Sequence, residues 1–177
     1  MRVLVVYESL YGTNRRIAEA IAEGVGTDAA ITIVAAEEAP VVIDGDVDLV
    51  VVGGPNHVTG MPSPQSRERA AAEGDGTLRP AQRGLREWLA DVRIARRGQR
   101  VAVWDTRMKS PRILDLIDRS GPTIAGRLRR GGARLVGTPR KFYSADGVGA
   151  LMAGEEDRAR TWGVELAEAV RGAEQRT

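Results

Sequence analysis

The sequence predicts an α/β fold: one domain, residues 1–177, built on a doubly wound five-stranded parallel sheet with helices on both faces. Three observations carry this. Short apolar, β-branched runs alternate with stretches of helical periodicity along the whole chain. The strongest of those runs are apolar at nearly every position, as in parallel strands buried on both faces. The residues that follow the first and third runs are rich in Gly, Pro, Ser, Thr and Asn. That composition suits ligand-facing loops at the carboxyl end of such a sheet.

Arg2-Val3-Leu4-Val5-Val6-Tyr7 is the first strand, and Glu8 to Asn14 is a tight turn after it. Ile17, Ala18, Ile21, Ala22 and Val25 then recur at helical spacing, with Arg15, Arg16, Glu19 and Glu23 between them. Gly24 and Gly26 suit the stop of that helix. Ala30 to Val34 is a second strand, and Pro40 to Asp46 a short connection. Val47 to Val52, the most hydrophobic run, is a central strand, with Gly53 to Pro62 as its loop. A short helix is expected over Gln65–Ala72, then a polar segment broken by Gly74, Gly76 and Pro80.

Leu85, Trp88, Leu89 and Val92 mark an amphipathic helix, and Arg93 to Arg100 a solvated basic turn. Arg100 to Trp104 is the fourth strand, and Trp104 to Lys109 its loop. A helix is expected over Ile113–Leu128, with Gly121-Pro122 as a point where it could break and Gly131-Gly132 as its stop. Ala133 to Gly137 begins a fifth strand, which Phe142 and Tyr143 resume after Pro139. The last helix runs from Glu155 and buries Ala159, Trp162, Leu166, Ala167 and Val170. Residues after Gly172 are expected to fray.

Composition narrows the function classes. There is no cysteine, so disulfides, thiolate metal sites and cysteine-bound clusters are excluded. One histidine makes a histidine-based metal site a poor fit. Basic and acidic residues nearly balance, 26 against 24, and only Lys109 and Lys141 among the basic ones are lysine. Aromatics total 4% and form no stacking series, so nucleic-acid binding is not expected. No run reaches the length of a membrane span and no leader is recognisable, so a cytoplasmic location is expected.

The first turn carries the chemistry. The start of a helix leaves backbone N–H groups without partners and bears a partial positive charge. Gly12 allows close approach, while Ser9, Thr13 and Asn14 add neutral donors, so a phosphate fits there. Arg15 and Arg16 oppose the helix dipole and strengthen the expectation of an anion. Simple helix capping is the competing reading of the same residues. The turn has neither the G-x-x-x-x-G-K-S/T of a P-loop nor the G-x-G-x-x-G of a dinucleotide site.

Ser9-Leu10-Tyr11-Gly12-Thr13-Asn14 resembles the Ser/Thr-x-Ser/Thr/Tyr-Gly-x-Ser/Thr phosphate loop of the flavodoxin family, with Asn14 where the family usually has a hydroxyl. With Val52-Gly53-Gly54-Pro55 after the third strand and Asp105-Thr106-Arg107 after the fourth, the resemblance covers essentially the whole chain. It implies a sheet of order 2-1-3-4-5 with the ligand at the switch between strands 1 and 3. It also implies FMN as cofactor, its phosphate on Ser9, Leu10, Tyr11, Gly12, Thr13 and Asn14. One side of the ring would meet Pro55, Asn56, His57 and Val58, and the other Trp104, Asp105, Thr106 and Arg107.

Trp104 fits equally well as a residue pointing into the sheet. Arg107 either faces the ring or turns to solvent or to Asp105. Three functions follow from the resemblance. The first is an FMN-binding electron-transfer protein with an unidentified redox partner protein or small acceptor. The second is an FMN-dependent NAD(P)H:quinone-type oxidoreductase, with His57 or Arg107 placing the substrate. The third is a flavin-free binding or regulatory module.

Overall fold

The computed structural model describes residues 1–56, 60–73, 81–108, 120–145 and 149–174. Its central sheet is parallel throughout. β2 (Ala30–Ala35), β1 (Arg2–Tyr7), β4 (Leu49–Pro55) and β6 (Arg100–Met108) lie side by side in that order. β7 (Arg134–Leu135) and β8 (Arg140–Ser144) both pair with β6.

The expected order 2-1-3-4-5 therefore needs correcting: the fifth position is two strand pieces, and the sheet has six strands. The break falls where Gly137 turns into the left-handed region at φ 73° and Pro139 brings no N–H to the ladder. A second, two-stranded sheet pairs β3 (Val42–Ile43) with β5 (Arg93–Ile94), where a connection and a solvated turn were expected. Period-two alternation explains it. Ile43 is buried in the core and Ile94 packs against it, while Val42 and Arg93 face outward.

Each central strand sends alternate side chains to two apolar layers. Val3, Val5, Leu49, Val51 and Ala102 pack under α1 (Thr13–Val25) and α5 (Glu155–Glu174). Leu4, Val6, Val50, Val52, Val101 and Val103 pack under α3 (Leu85–Asp91) and α4 (Ser120–Arg130). Both faces are covered, and the runs are accordingly apolar without alternation.

α1 buries Ile17, Ala18, Ile21, Ala22 and Val25, the face its spacing predicts. Gly26, at φ 94°, ends it. Gly24 lies inside the helix instead, because a Cβ there would sit 1.9 Å from the Arg160 carbonyl oxygen of α5. α2 (Pro64–Glu73) matches the short helix expected. Gly121-Pro122 falls in the first described turn of α4 without interrupting it; the part expected before Ser120 lies outside the described residues. Among the described residues no helix is long and apolar enough to cross a membrane.

Candidate functional site

Two strands run further than their composition suggests, and this re-sorts the site. β4 continues through Gly53, Gly54 and Pro55, which pair with Trp104, Asp105 and Thr106 of β6. Gly53 is small because a Cβ would lie 2.0 Å from the Trp104 ring; one on Gly54 would lie 2.7 Å from Leu85 and 3.2 Å from Glu8. These glycines serve packing across the sheet rather than a ligand loop.

β6 likewise runs to Met108, so the segment expected as a loop alternates as a strand. Trp104 and Thr106 point to the α1 face. Trp104 is wholly buried, its Nε1 donating to Asn14 Oδ1 at 3.0 Å, and Thr106 Oγ1 donates to the same atom at 2.6 Å. Asp105 and Arg107 point to the other face and pair there in the interior, with Arg107 Nε donating to Asp105 Oδ1 at 2.8 Å. Trp104 is thus a core residue with no ring surface to offer a ligand, and Asp105 is a buried counter-ion. His57 and Val58 lie outside the described residues.

Above these strand ends is a cavity of about 680 Å³, within the size range of small-molecule sites. Ser9, Leu10, Tyr11, Thr13 and Asn14 form one wall. Pro55, Asn56, Thr106, Arg107 and Met108 form its floor, and Ser144 and Gly149 a further side. The cavity lies beyond the carboxyl ends of β1 and β4, where the chain direction across the sheet switches.

The segment from Ser9 to Asn14 wraps the start of α1. Gly12 caps α1 at φ 82°, a conformation that costs about 1–2 kcal/mol for a residue with a Cβ. The backbone N–H groups of Tyr11, Gly12 and Thr13 donate to no acceptor among the described residues. No acidic side chain occupies the first turn of α1. The Asn14 N–H donates to Ser9 Oγ at 3.2 Å and closes the loop. Tyr11 Oη donates to the Ala70 carbonyl at 3.2 Å, which holds the loop against α2. Gly149 packs on it from the other side, its Cβ position 2.8 Å from the Tyr11 carbonyl oxygen.

One expectation changes here. Arg15 pairs with Glu19 at 2.9 Å and Arg16 with Glu156 at 2.8 Å, so neither cation calls for a further anion. Asn14 lines the cavity and is also tied to the sheet, its Oδ1 accepting from Trp104 and Thr106 of β6. Asn56 is braced across the sheet end, its N–H donating to Thr106 O at 2.8 Å and its Oδ1 accepting from Ser120 Oγ at 2.7 Å.

Sequence reasoning missed α2 and α3 as walls. Ser63, Ser66, Arg69 and Arg86 line the cavity. Ser63 and Ser66 exchange hydroxyl and N–H bonds at 2.8 and 3.2 Å, and that reciprocal cap was readable from their spacing. Arg86 donates to the Met61 carbonyl at 2.6 Å and the Pro62 carbonyl at 3.2 Å.

A buried charge network below the loop was also missed. Arg67, fully buried, meets Glu8 at 3.4 Å and Glu87 at 2.9 Å. Glu8 in turn accepts the Leu85 N–H at 2.8 Å. Burial pushes the Glu8 carboxyl above its usual range, against the opposing pull of the Leu85 N–H and the Arg67 charge.

No family model matches the chain, and no curated protein matches it in sequence. The comparison of folds is decisive where sequence is not: a parallel sheet with helices on both faces and its cavity at the switch between β1 and β4 is a flavodoxin-like fold. A flavodoxin from the domain Archaea superposes with a TM-score of 0.63 at 18% identity, over 97% of this chain and 99% of its own. Flavodoxin 2 from Bacillus cereus, in its oxidised form, matches at 0.57 and 20% identity, over 98% and 99% of the two chains. A flavodoxin described as WrbA-like, from Agrobacterium tumefaciens, matches at 0.57 and 20% identity, over 97% and 98%.

Proposed function

We propose that this chain is an FMN-binding redox protein that carries out electron transfer. The observation that carries the reading is the run of unpartnered N–H groups at Tyr11, Gly12 and Thr13, set in the wall of a cavity of about 680 Å³ at the sheet's switch point. Those groups fit a phosphate monoester, and Gly12 leaves its approach open, with nothing within 4 Å of its Cβ position. Pro55, Met61 and Met108 supply apolar surface for a ring system. The flavin supplies the electron chemistry when bound, and the chain holds its phosphate, orients its ring and limits access.

Arg107 would lie at the ring end, but its charge is shared with Asp105. Its pull on an anionic ligand is therefore that of an ion pair, weaker than that of a lone cation. Among the described residues no Asp, Glu or His lines the cavity.

The test is titration with FMN, FAD and riboflavin, read by flavin fluorescence. FMN should bind much more tightly than riboflavin, and Gly12→Val should abolish the difference while circular dichroism stays native. Equal affinity for riboflavin and FMN in the native chain refutes the phosphate-loop assignment.

A further inference from the structure

At the end of the sheet opposite the cavity the surface is strongly basic. Arg93, Arg97, Arg129, Arg130 and Arg134 are exposed and Arg100 is half-buried. The fold gathers them from three segments: Arg100 and Arg134 are register partners across β6 and β7, and Gly98 N–H donates to Gly132 O at 2.8 Å. The Gly132 Cβ position is 3.9 Å from the Arg97 side chain. None of the six makes an ion pair among the described residues. No Asp or Glu occurs from Val92 to Trp104 or from Ser120 to Ser144. On the neighbouring loop Asp46 and Asp48 are both engaged by Arg2, which leaves exposed Asp44 as the acidic residue beside the patch.

Helix electrostatics explain only part of this. Arg129 and Arg130 sit in the last turn of α4, where cations offset the helix dipole. That reason does not reach Arg93, Arg97, Arg100 or Arg134, which lie outside any helix. Beside them is exposed apolar surface: Val42, 46% exposed, is the register partner of Arg93 on the outward face of the small sheet, and Val41 is 43% exposed. Guanidinium groups with aliphatic side chains among them suit a layer of phosphate headgroups over hydrocarbon. Arg93 to Arg100 and Arg129 to Arg134 carry no Trp, Tyr or Phe for stacking on bases.

We propose that this pole docks the protein peripherally on an anionic phospholipid surface. β6 runs from Arg100 in the patch to Met108 at the cavity. At about 3.3 Å per residue the two ends are about 26 Å apart. Docked in this way, the molecule presents its cavity away from the lipid and open to a partner. The inference does not depend on which ligand the cavity takes.

The experiment is vesicle flotation of the full chain with pure phosphatidylcholine and with vesicles containing about one third phosphatidylglycerol. Binding is expected only to the anionic vesicles and is expected to vanish at high salt. Each basic residue at such a surface is worth about fivefold in partitioning, so Arg130→Glu/Arg134→Glu should lose on the order of 30-fold or more. The control Arg160→Glu/Arg171→Glu, equal in charge and placed on α5, should retain most of the binding. Circular dichroism shows whether each variant is folded. Milder Arg130→Gln/Arg134→Gln substitutions test the same point if the reversal unfolds the chain. Equal losses in patch and control variants overturn the proposal, as does absence of binding to anionic vesicles. Tighter binding to a DNA duplex or to polyglutamate at the same ionic strength assigns the patch to that polyanion and overturns it too.

Discussion

Replacing Arg67 by methionine removes a guanidinium with no exposed surface while keeping much of its stem. The native group donates to the Ala81 carbonyl at 2.9 Å and to Glu87 at 2.9 Å, and faces Glu8 at 3.4 Å. At an effective dielectric of about 20, a pair at the Glu8 separation attracts by roughly 5 kcal/mol. Desolvation cancels much of that. Removing one partner of a buried pair nevertheless costs about 3–5 kcal/mol, because the survivor is left charged in apolar surroundings. We expect Arg67→Met to lose about that amount at neutral pH.

Acid should narrow the gap. Burial already raises the Glu8 carboxyl, and losing Arg67 raises it further. A carboxyl raised in the folded state contributes stability below its unfolded pKa and loses it as pH rises through the folded value. The variant therefore recovers as pH falls from neutrality toward about 4.3, the unfolded glutamate value.

Glu87 acts in the same sense from the other side. Its partial burial pushes it up, but the Gly84 N–H and the Arg67 charge outweigh this and hold it low. Its contribution is present above the unfolded pKa and lost as pH falls, so that share of the Arg67 effect also disappears in acid. Urea unfolding followed by tryptophan fluorescence at about pH 7 and about pH 5 gives both numbers. Adding Glu8→Gln to the variant should recover at least half of the loss. A neutral-pH cost under about 1 kcal/mol, or a gap that widens in acid, refutes this account of the network.

Asn14→Leu strips a buried acceptor from both Trp104 Nε1 and Thr106 Oγ1. Thermal unfolding should register a loss of about 2–4 kcal/mol, whereas an Asn14 that did not make these two bonds would cost almost nothing. Gly24→Ala gives a test of sign. Helix propensity alone predicts a gain of about 1 kcal/mol, but the contact with the Arg160 carbonyl predicts a loss of about 1–3 kcal/mol, measured by urea midpoint.

Alternation of strand and helix was legible because burial on both faces leaves an unbroken apolar run, as in Val3 to Val6 and Leu49 to Val52. The turn at Gly12 was legible because its residue types are local to one helix start. Strand ends were not. Gly53-Gly54-Pro55 has the composition of a loop, and only the Trp104 ring across the ladder explains why it is strand. The same ladder carries β6 on to Met108, so that Thr106 and Arg107, near the strand end, reach the cavity while Trp104 and Asp105, further back, are buried on opposite faces. Arg16 misled because its partner Glu156 is supplied by a distant helix, while Arg15 has a local partner in Glu19, one turn on. Glu8 and Arg67 stand 59 positions apart, and nothing local to either announces the pair.

The close crossing of α1 and α5 also sets the order of events during synthesis. Gly163 lies against Ile21 and Gly24 with backbone separations as short as 2.2 Å from its Cβ position, so the two helices shield one whole side of the sheet together. Gly24 and Gly163 are roughly 140 positions apart, and translation adds about 5–20 residues per second. For on the order of ten seconds the nascent chain carries Ile17, Ile21 and Val25 with their later cover not yet made. The opposite side, under α3 and α4, can close earlier from nearer segments. Co-translational folding of this chain is thus lopsided, and its exposure to chaperones and to aggregation is concentrated on the α1 side until α5 emerges.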